Sequence, residues 1–243
     1  MHRFLVGPDA IAGERVTFSD AQAHQIRHVL RLRPGDTIVV FDGTQPADLV
    51  AELTSPNEGR IIEARAQAPE PRTQLVVYPA LLQRDKFETV LQKLTELGAC
   101  AIAPVISARS LVREPPDERR LERWASILRE AAEQSGRGVV PRLRETLAFE
   151  IALARACGEG RIMIAHPSGE GQSLKTALSG ASETVSLLVG PEGGFEATEI
   201  DLARLVGAQV VTLGPRILRA ETASPVLAAL VLYTLGDLSS GPV

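Results

Sequence analysis

The run Leu187-Leu188-Val189-Gly190-Pro191-Glu192-Gly193-Gly194-Phe195 carries an apolar strand pattern straight into a turn of three glycines and a proline. Glycines at the carboxyl end of a strand let main chain approach a ligand closely, and open α/β sheets bind small molecules at that edge. The run is not GxGxxG, and no Lys-Ser/Thr follows, so neither the dinucleotide fingerprint nor the phosphate loop fits. A tight strand-to-helix turn accounts for the same glycines. Further along, Leu213-Gly214-Pro215-Arg216-Ile217-Leu218-Arg219-Ala220-Glu221-Thr222-Ala223 again follows a strand pattern. Two arginines and a glutamate beside Ile217 and Leu218 are unusual for an ordinary turn, although surface ion pairs would also use them.

Two more groups have helical spacing. Glu130, Glu133, Gln134 and Arg137 follow i, i+3, i+4, i+7 and share one helix face. Carboxylates, an amide and a guanidinium together can grip a nucleobase edge or the tail of a cofactor, and a solvated face of ion pairs is the plainer account. His24, Arg27, His28 and Arg31 repeat the spacing as a donor-rich stripe suited to phosphate contacts, which supply affinity and register. A solvated basic face is again the plainer account. His2 and Arg3, with Arg33 and Arg109, are weaker candidates for the same role. His166 ends an apolar run; a base is one reading of it, and a strand-end residue the plainer one.

These residues need elements to position them. Short strand patterns at RVTFS, DTIVVFDG, ADLVAELT and GRIIEARAQA, separated by turn residues, predict a small β-barrel over residues 1–72. AQAHQIRHVLRLRPGD predicts a helix that ends before Pro34-Gly35. APEPRTQ reads as a linker. From residue 73 to 243 apolar strands alternate with amphipathic helices, which predicts α/β architecture. LVVYPALL, AIAPVIS, RIMIAHP, SLLVGP and QVVTLG are the strands. DKFETVLQKLTELGA, PDERRLERWASILREAAEQS, EATEIDLARLVGA and ASPVLAALVLYTLGDL are the helices, with Asp117 as a cap and Gly98 and Gly136 as stops.

Composition narrows the class. Among 243 residues, 44% are hydrophobic and 23% charged, which is the balance of a chain with a substantial core. No apolar run reaches the roughly 18 residues of a membrane helix, and the first residues lack a secretory pattern, so a cytoplasmic protein with no membrane partner is expected. Cys100 and Cys157 lie in apolar stretches with no metal-ligand spacing, so they read as small buried hydrophobes and no metal is expected. The net charge of −4 conceals a basic middle: residues 71–144 hold 13 Lys and Arg against 9 Asp and Glu. That asymmetry keeps a nucleic-acid partner open.

Taken together, VGPEGGF and LGPRILRAETA closely resemble the cofactor signature of the SPOUT RNA methyltransferases. HRF, HVLRLRPGD, KFETVLQKLTELG and REAAEQSGRGVVPRL, in that order, narrow the resemblance to the RsmE family of 16S rRNA (uracil-N3)-methyltransferases. The resemblance implies a C-terminal SPOUT domain with a deep trefoil knot, an N-terminal PUA-like barrel that binds RNA, and a homodimer with the site at its interface. It implies S-adenosylmethionine held by Leu188, Gly190, Pro191, Gly193, Gly194, Leu213, Gly214, Ile217, Leu218, Arg219, Thr222 and Ala223. The implied partner is the 16S rRNA of the small ribosomal subunit.

Methyl transfer to N3 of uracil needs the N3 proton removed and the charge spreading onto O2 and O4 stabilised. Arg219 or Arg137 is the expected cation, and Glu133, with Glu221 as second candidate, the expected proton acceptor. Two other readings remain open: a SPOUT methyltransferase acting on another RNA or on a ribose 2′-hydroxyl, and a non-catalytic RNA-binding assembly factor.

Overall fold

The computed structural model describes residues 1–83, 85–167, 171–180 and 183–238. They divide into two compact units, one of Met1–Glu70 with Arg129–Val140 and one of Pro71–Leu128 with Pro141–Val243.

The first unit contains β1 (Arg3–Leu5), β2 (Ile11–Ala12), β3 (Arg15–Thr17), α1 (Asp20–His24), β4 (Thr37–Phe41), β5 (Ala47–Ser55) and β6 (Glu58–Ala66). They form a six-stranded sheet of order β1-β4-β5-β6-β3-β2, parallel at β1/β4 and antiparallel elsewhere. Phe4, Val16, Ile26, Ile38, Val40, Ala51 and Leu53 face inward and form its core. Alternation along the strands sends these residues to one face and leaves charged partners outside.

The expected long helix over residues 21–33 is not formed. α1 starts on a capping box between Ser19 and Gln22, then widens after five residues into a π segment at Gln25–Val29. Leu30 donates to the Gln25 carbonyl at 2.9 Å, and Arg31 leaves the helix at φ 56°. Ile26, fully buried, sits on the inner side of this wide turn. The four-residue stripe therefore stops at His28.

The second unit contains β7 (Gln74–Pro79), α2 (Asp85–Leu97), β8 (Ala101–Ile102), β9 (Val105–Ile106), the first part of α3 (Glu118–Ser135), β10 (Arg142–Leu143), β11 (Leu147–Ala148), α4 (Phe149–Glu159), β12 (Arg161–Ala165), α5 (Leu174–Ala177), β13 (Thr184–Val189), α6 (Ala197–Leu205), β14 (Gln209–Val211) and α7 (Ala220–Thr234). Its main sheet is wholly parallel, of order β10-β8-β7-β13-β12-β14. β13 is buried along Val185–Val189, as expected for a central strand covered on both faces.

Local signals set several boundaries as predicted. The Asp117 carboxylate accepts the Arg120 N–H at 2.8 Å at the start of α3. Gly98 and Gly136, both at positive φ, follow α2 and α3. AIAPVIS, expected as one strand, breaks at Pro104 into β8 and β9, which belong to different sheets. Proline has no N–H to give a ladder, and its carbonyl instead accepts from Leu147 at 2.9 Å. Cys157 is exposed on α4 and Cys100 half-buried, so the reading of both as buried hydrophobes is corrected.

Trp124 on α3 is fully buried and packs at a tilt against Phe87 of α2, with ring centroids 4.6 Å apart. Trp124→Ala is expected to destabilise the protein by about 3–5 kcal/mol, because the void is walled by α2 and cannot collapse freely. Urea denaturation reads this directly, and a loss under about 1 kcal/mol would show the site to be plastic.

Candidate active site

The parallel sheet decides which loops meet. Ala165, Val189 and Val211, the last residues of β12, β13 and β14, lie side by side in register. The chain segments leaving these three strands therefore emerge at one sheet edge, where open α/β sheets form ligand crevices. They enclose a cavity of about 370 Å³.

The first wall is the Gly190–Phe195 turn. Gly194 takes φ 67°, and its N–H donates to the Pro191 carbonyl at 2.9 Å. A Cβ on Gly190 would lie 3.2 Å from both the ring and the main-chain nitrogen of Phe195. Phe195 is in turn seated against Phe149, with centroids 5.2 Å apart. Gly190 is thus required by the close return of the chain. The second wall runs from Val211 to the start of α7, with Gly214 at φ 102°. The Arg219 carbonyl accepts from Thr222 at 2.9 Å and Ala223 at 2.8 Å, which opens α7.

Charge is concentrated at this cavity. Lys86, Glu192, Arg216, Arg219 and Glu221 all line it. Lys86 pairs with Glu192 at 3.1 Å. The Glu221 Oε2 is buried without a hydrogen-bond partner among the described residues. Ile217, at 84% exposure, offers an apolar side chain that the protein itself does not cover.

Gly190, Pro191, Gly194, Leu213, Gly214, Ile217, Leu218, Arg219, Glu221 and Ala223 all line the cavity. Leu188, Gly193 and Thr222 do not. Leu188 is fully buried within the sheet core, Gly193 packs outward against Arg109, and Thr222 is exposed on the first turn of α7. The cavity also takes in Lys86, Ala165, His166, Pro167, Glu192, Thr212 and Arg216, which were not singled out for it. For His166, read chiefly as a strand end, a signal existed: parallel neighbours finish at the same edge, so the residue after each strand is a candidate.

Glu133 and Arg137 belong to the first unit, where both are committed to internal contacts. Glu133 accepts the Leu5 N–H at 2.8 Å, and Arg137 forms a two-pronged pair with Glu70 at 3.0 and 2.6 Å. Arg137 is only 8% exposed, and its carbonyl accepts from Arg3 at 3.0 Å. Glu133 and Arg137 thus hold residues 129–140 to Leu5 and Glu70, while Glu130 and Gln134 on the same helix face are exposed. Arg3, expected as an RNA contact, is likewise taken up by Asp48 and lies over the Phe41 ring. Partner residues distant in sequence thus give Glu133, Arg137 and Arg3 structural contacts within the chain.

Burial raises the Glu133 carboxyl above its ordinary value of 4.5, and the Leu5 N–H only partly opposes this. The folded state then binds the proton more tightly than the unfolded state. The carboxylate destabilises the protein above that range and costs nothing below it. Glu133→Gln, which keeps an acceptor for Leu5, is expected to melt higher than the parent at pH 7, with the gap closing below pH 4.5. Melting curves across that range test it, and an unchanged gap would assign the effect to packing.

Of the other basic candidates, His24, Arg27, His28, Arg31 and Arg33 are exposed, with the two histidine rings 4.7 Å apart. Arg109 belongs to the second unit and donates to the Gly193 carbonyl at 3.2 Å.

Residues 68–232 match the family model described as an RNA methyltransferase domain. The ribosomal RNA small subunit methyltransferase E of Bacillus subtilis is 35% identical, covering 93% of this chain and 91% of the relative. Its namesake from Synechocystis is 34% identical over 94% of this chain and 76% of the relative. Among solved structures, the ribosomal RNA small subunit methyltransferase E of Neisseria gonorrhoeae, bound to S-adenosyl methionine, superposes with a TM-score of 0.86. It is 32% identical, covering 96% of this chain and 97% of that one. A methyltransferase from Legionella pneumophila, also with S-adenosylmethionine bound, gives a TM-score of 0.86 at 26% identity, covering 95% of this chain and 96% of that one.

Proposed function

Because the chain belongs to the ribosomal RNA small subunit methyltransferase E family, we propose that it transfers the methyl group of S-adenosylmethionine to N3 of a specific uridine in 16S rRNA. The observation that carries this reading is the cavity at the carboxyl edge of β12, β13 and β14, walled by GPEGGF and by the segment ending in ILRAETA.

The cavity suits the cofactor. Gly194 and Gly214 have open space where a Cβ would stand, so main chain can face a ligand directly. Leu213, Ile217 and Leu218 supply apolar walls. When bound, S-adenosylmethionine supplies a methyl group already activated by its positive sulfur. Main-chain groups of the two walls would hold the adenine while the aliphatic side chains enclose it.

The remaining chemistry falls to the chain. Arg219, exposed beside the cavity, stabilises the charge that develops on O2 and O4 of the uracil. Glu221 accepts the N3 proton, its Oε2 having no competing donor among the described residues. Glu133 and Arg137 take no part in this scheme.

The finer features belong to the same proposal: a PUA-like RNA-binding barrel over residues 1–72, a SPOUT domain with a trefoil knot over 73–243, and action in the cytoplasm. The exposed His24, Arg27, His28, Arg31 and Arg33 are its RNA contacts. A homodimer is supported by Ile217 at 84%, Leu230 at 40% and Tyr233 at 68% exposure, the last two on one face of α7. The test is methyl transfer from labelled cofactor to purified, unmethylated small ribosomal subunits, followed by nucleoside mass analysis. 3-Methyluridine that appears only with the protein is the expected product. A different methylated nucleoside would move the target to another atom or RNA, and no cofactor binding would leave an RNA-binding assembly factor.

A further inference from the structure

We propose that Arg109, seated by the buried carboxylate of Glu199, is a positioning residue that sets the Gly193–Gly194 main chain at the cavity, and is not an RNA contact. This rests on the reading of the cavity as the S-adenosylmethionine site.

Glu199 is 6% exposed, and both its oxygens are used. Oε1 accepts the Ala108 N–H at 3.0 Å, and Oε2 accepts the Glu196 N–H at 2.8 Å. One carboxylate thereby ties the segment before Arg109 to the start of α6. The segment is stiffened further by Ser107 and Ser110, both buried, whose hydroxyls lie 3.1 Å apart. Arg113 closes it by donating to the Ala108 carbonyl at 2.8 Å.

From this base the Arg109 guanidinium reaches the Gly193 carbonyl at 3.2 Å and lies 3.7 Å from Glu196. Its stem packs so closely that a Cβ on Gly193 would stand 3.2 Å from the Arg109 Cβ. Gly193 is needed for that approach, which explains why it carries no part of the cavity wall. A carbonyl pinned outward fixes the Gly193–Gly194 peptide plane, and Gly194, at φ 67°, turns the chain back along the wall. The loop is also held at Glu192 by Lys86. Two adjacent glycines are otherwise the most mobile pair a chain can contain. Without the brace, their ordering would be charged to cofactor binding.

Cofactor affinity by calorimetry, Gly194 amide exchange without cofactor, and KM for small subunits should be measured on the parent, Arg109→Ala, Arg109→Lys and Glu199→Gln. Arg109→Ala is expected to weaken S-adenosylmethionine binding about tenfold, with KM for the subunit within about twofold. Exchange at Gly194 is expected to accelerate by a similar factor. Arg109→Lys, which keeps a donor, should recover most of both, and Glu199→Gln, which keeps one acceptor oxygen, should fall between. If cofactor affinity and exchange stay unchanged in Arg109→Ala while subunit binding weakens and loses about one ion of salt dependence, Arg109 is an RNA contact and the proposal fails. Should the alanine variant not fold, the same two readouts on Arg109→Lys and Glu199→Gln decide: unchanged values in both overturn the brace. A parent that does not bind S-adenosylmethionine overturns the cofactor reading instead, and Gly194 exchange still tests the brace.

Discussion

Gly190→Val is expected to abolish useful cofactor binding, raising the Kd for S-adenosylmethionine at least about a hundredfold, while the protein remains folded. The Cβ position at Gly190 lies 3.2 Å from the Phe195 nitrogen and 3.3 Å from the Gly194 carbonyl carbon, and both are main-chain atoms of the loop itself. They cannot give way without moving the wall. Phe195 cannot retreat either, being 3% exposed against Phe149. The added methyl groups must therefore displace the loop into the cavity. Overpacking of this kind costs about 1–3 kcal/mol, which a domain of this size survives. Gly193→Ala meets only the Arg109 side chain at that distance and should be milder. Calorimetry with melting curves on both variants checks the pair, and a Gly190→Val protein with near-parental affinity would remove this loop from the site.

Arg219→Ala should lower kcat by about a hundredfold to a thousandfold while shifting cofactor affinity much less. The separation follows from where its groups lie. The Arg219 carbonyl, which receives the Thr222 and Ala223 N–H groups, opens α7 and survives the substitution. The side chain is exposed beside the cavity and its loss leaves no void in the core. What disappears is a cation fixed where negative charge develops during transfer to N3. Arg219→Lys keeps charge without the planar fork and should recover only part of the rate. Single-turnover methyl transfer at saturating cofactor measures this, and a kcat within about threefold of the parent would assign the role to another donor.

Much of the second unit was legible because its signals are local. Strand patterns ending in glycine turns marked Gly190–Phe195 and Leu213–Ala223, and Asp117, Gly98 and Gly136 marked helix ends within a residue or two. Periodicity was less reliable where a helix changed its pitch. The stripe from His24 to Arg31 presumed a uniform α-helix, and the π segment at Gln25–Val29 ends that alignment. Helix α4, over Phe149–Glu159, went unmarked because no capping side chain announces its start at Ala148.

The sequence by itself determined the alternation of strands and helices, the two glycine-bearing turns and the family resemblance they carry, since each depends on neighbours within one element. Tertiary structure alone decided which side chains were free. Glu133 and Arg137 have the right types and spacing for chemistry, yet Leu5 and Glu70, far away in the chain, consume them. Lys86 and His166 join the cavity only because parallel strands end in register and α2 begins beside the same edge. A charged group's role depends on which partner reaches it first. That partner is chosen by strand order and packing, which spacing along the chain does not record.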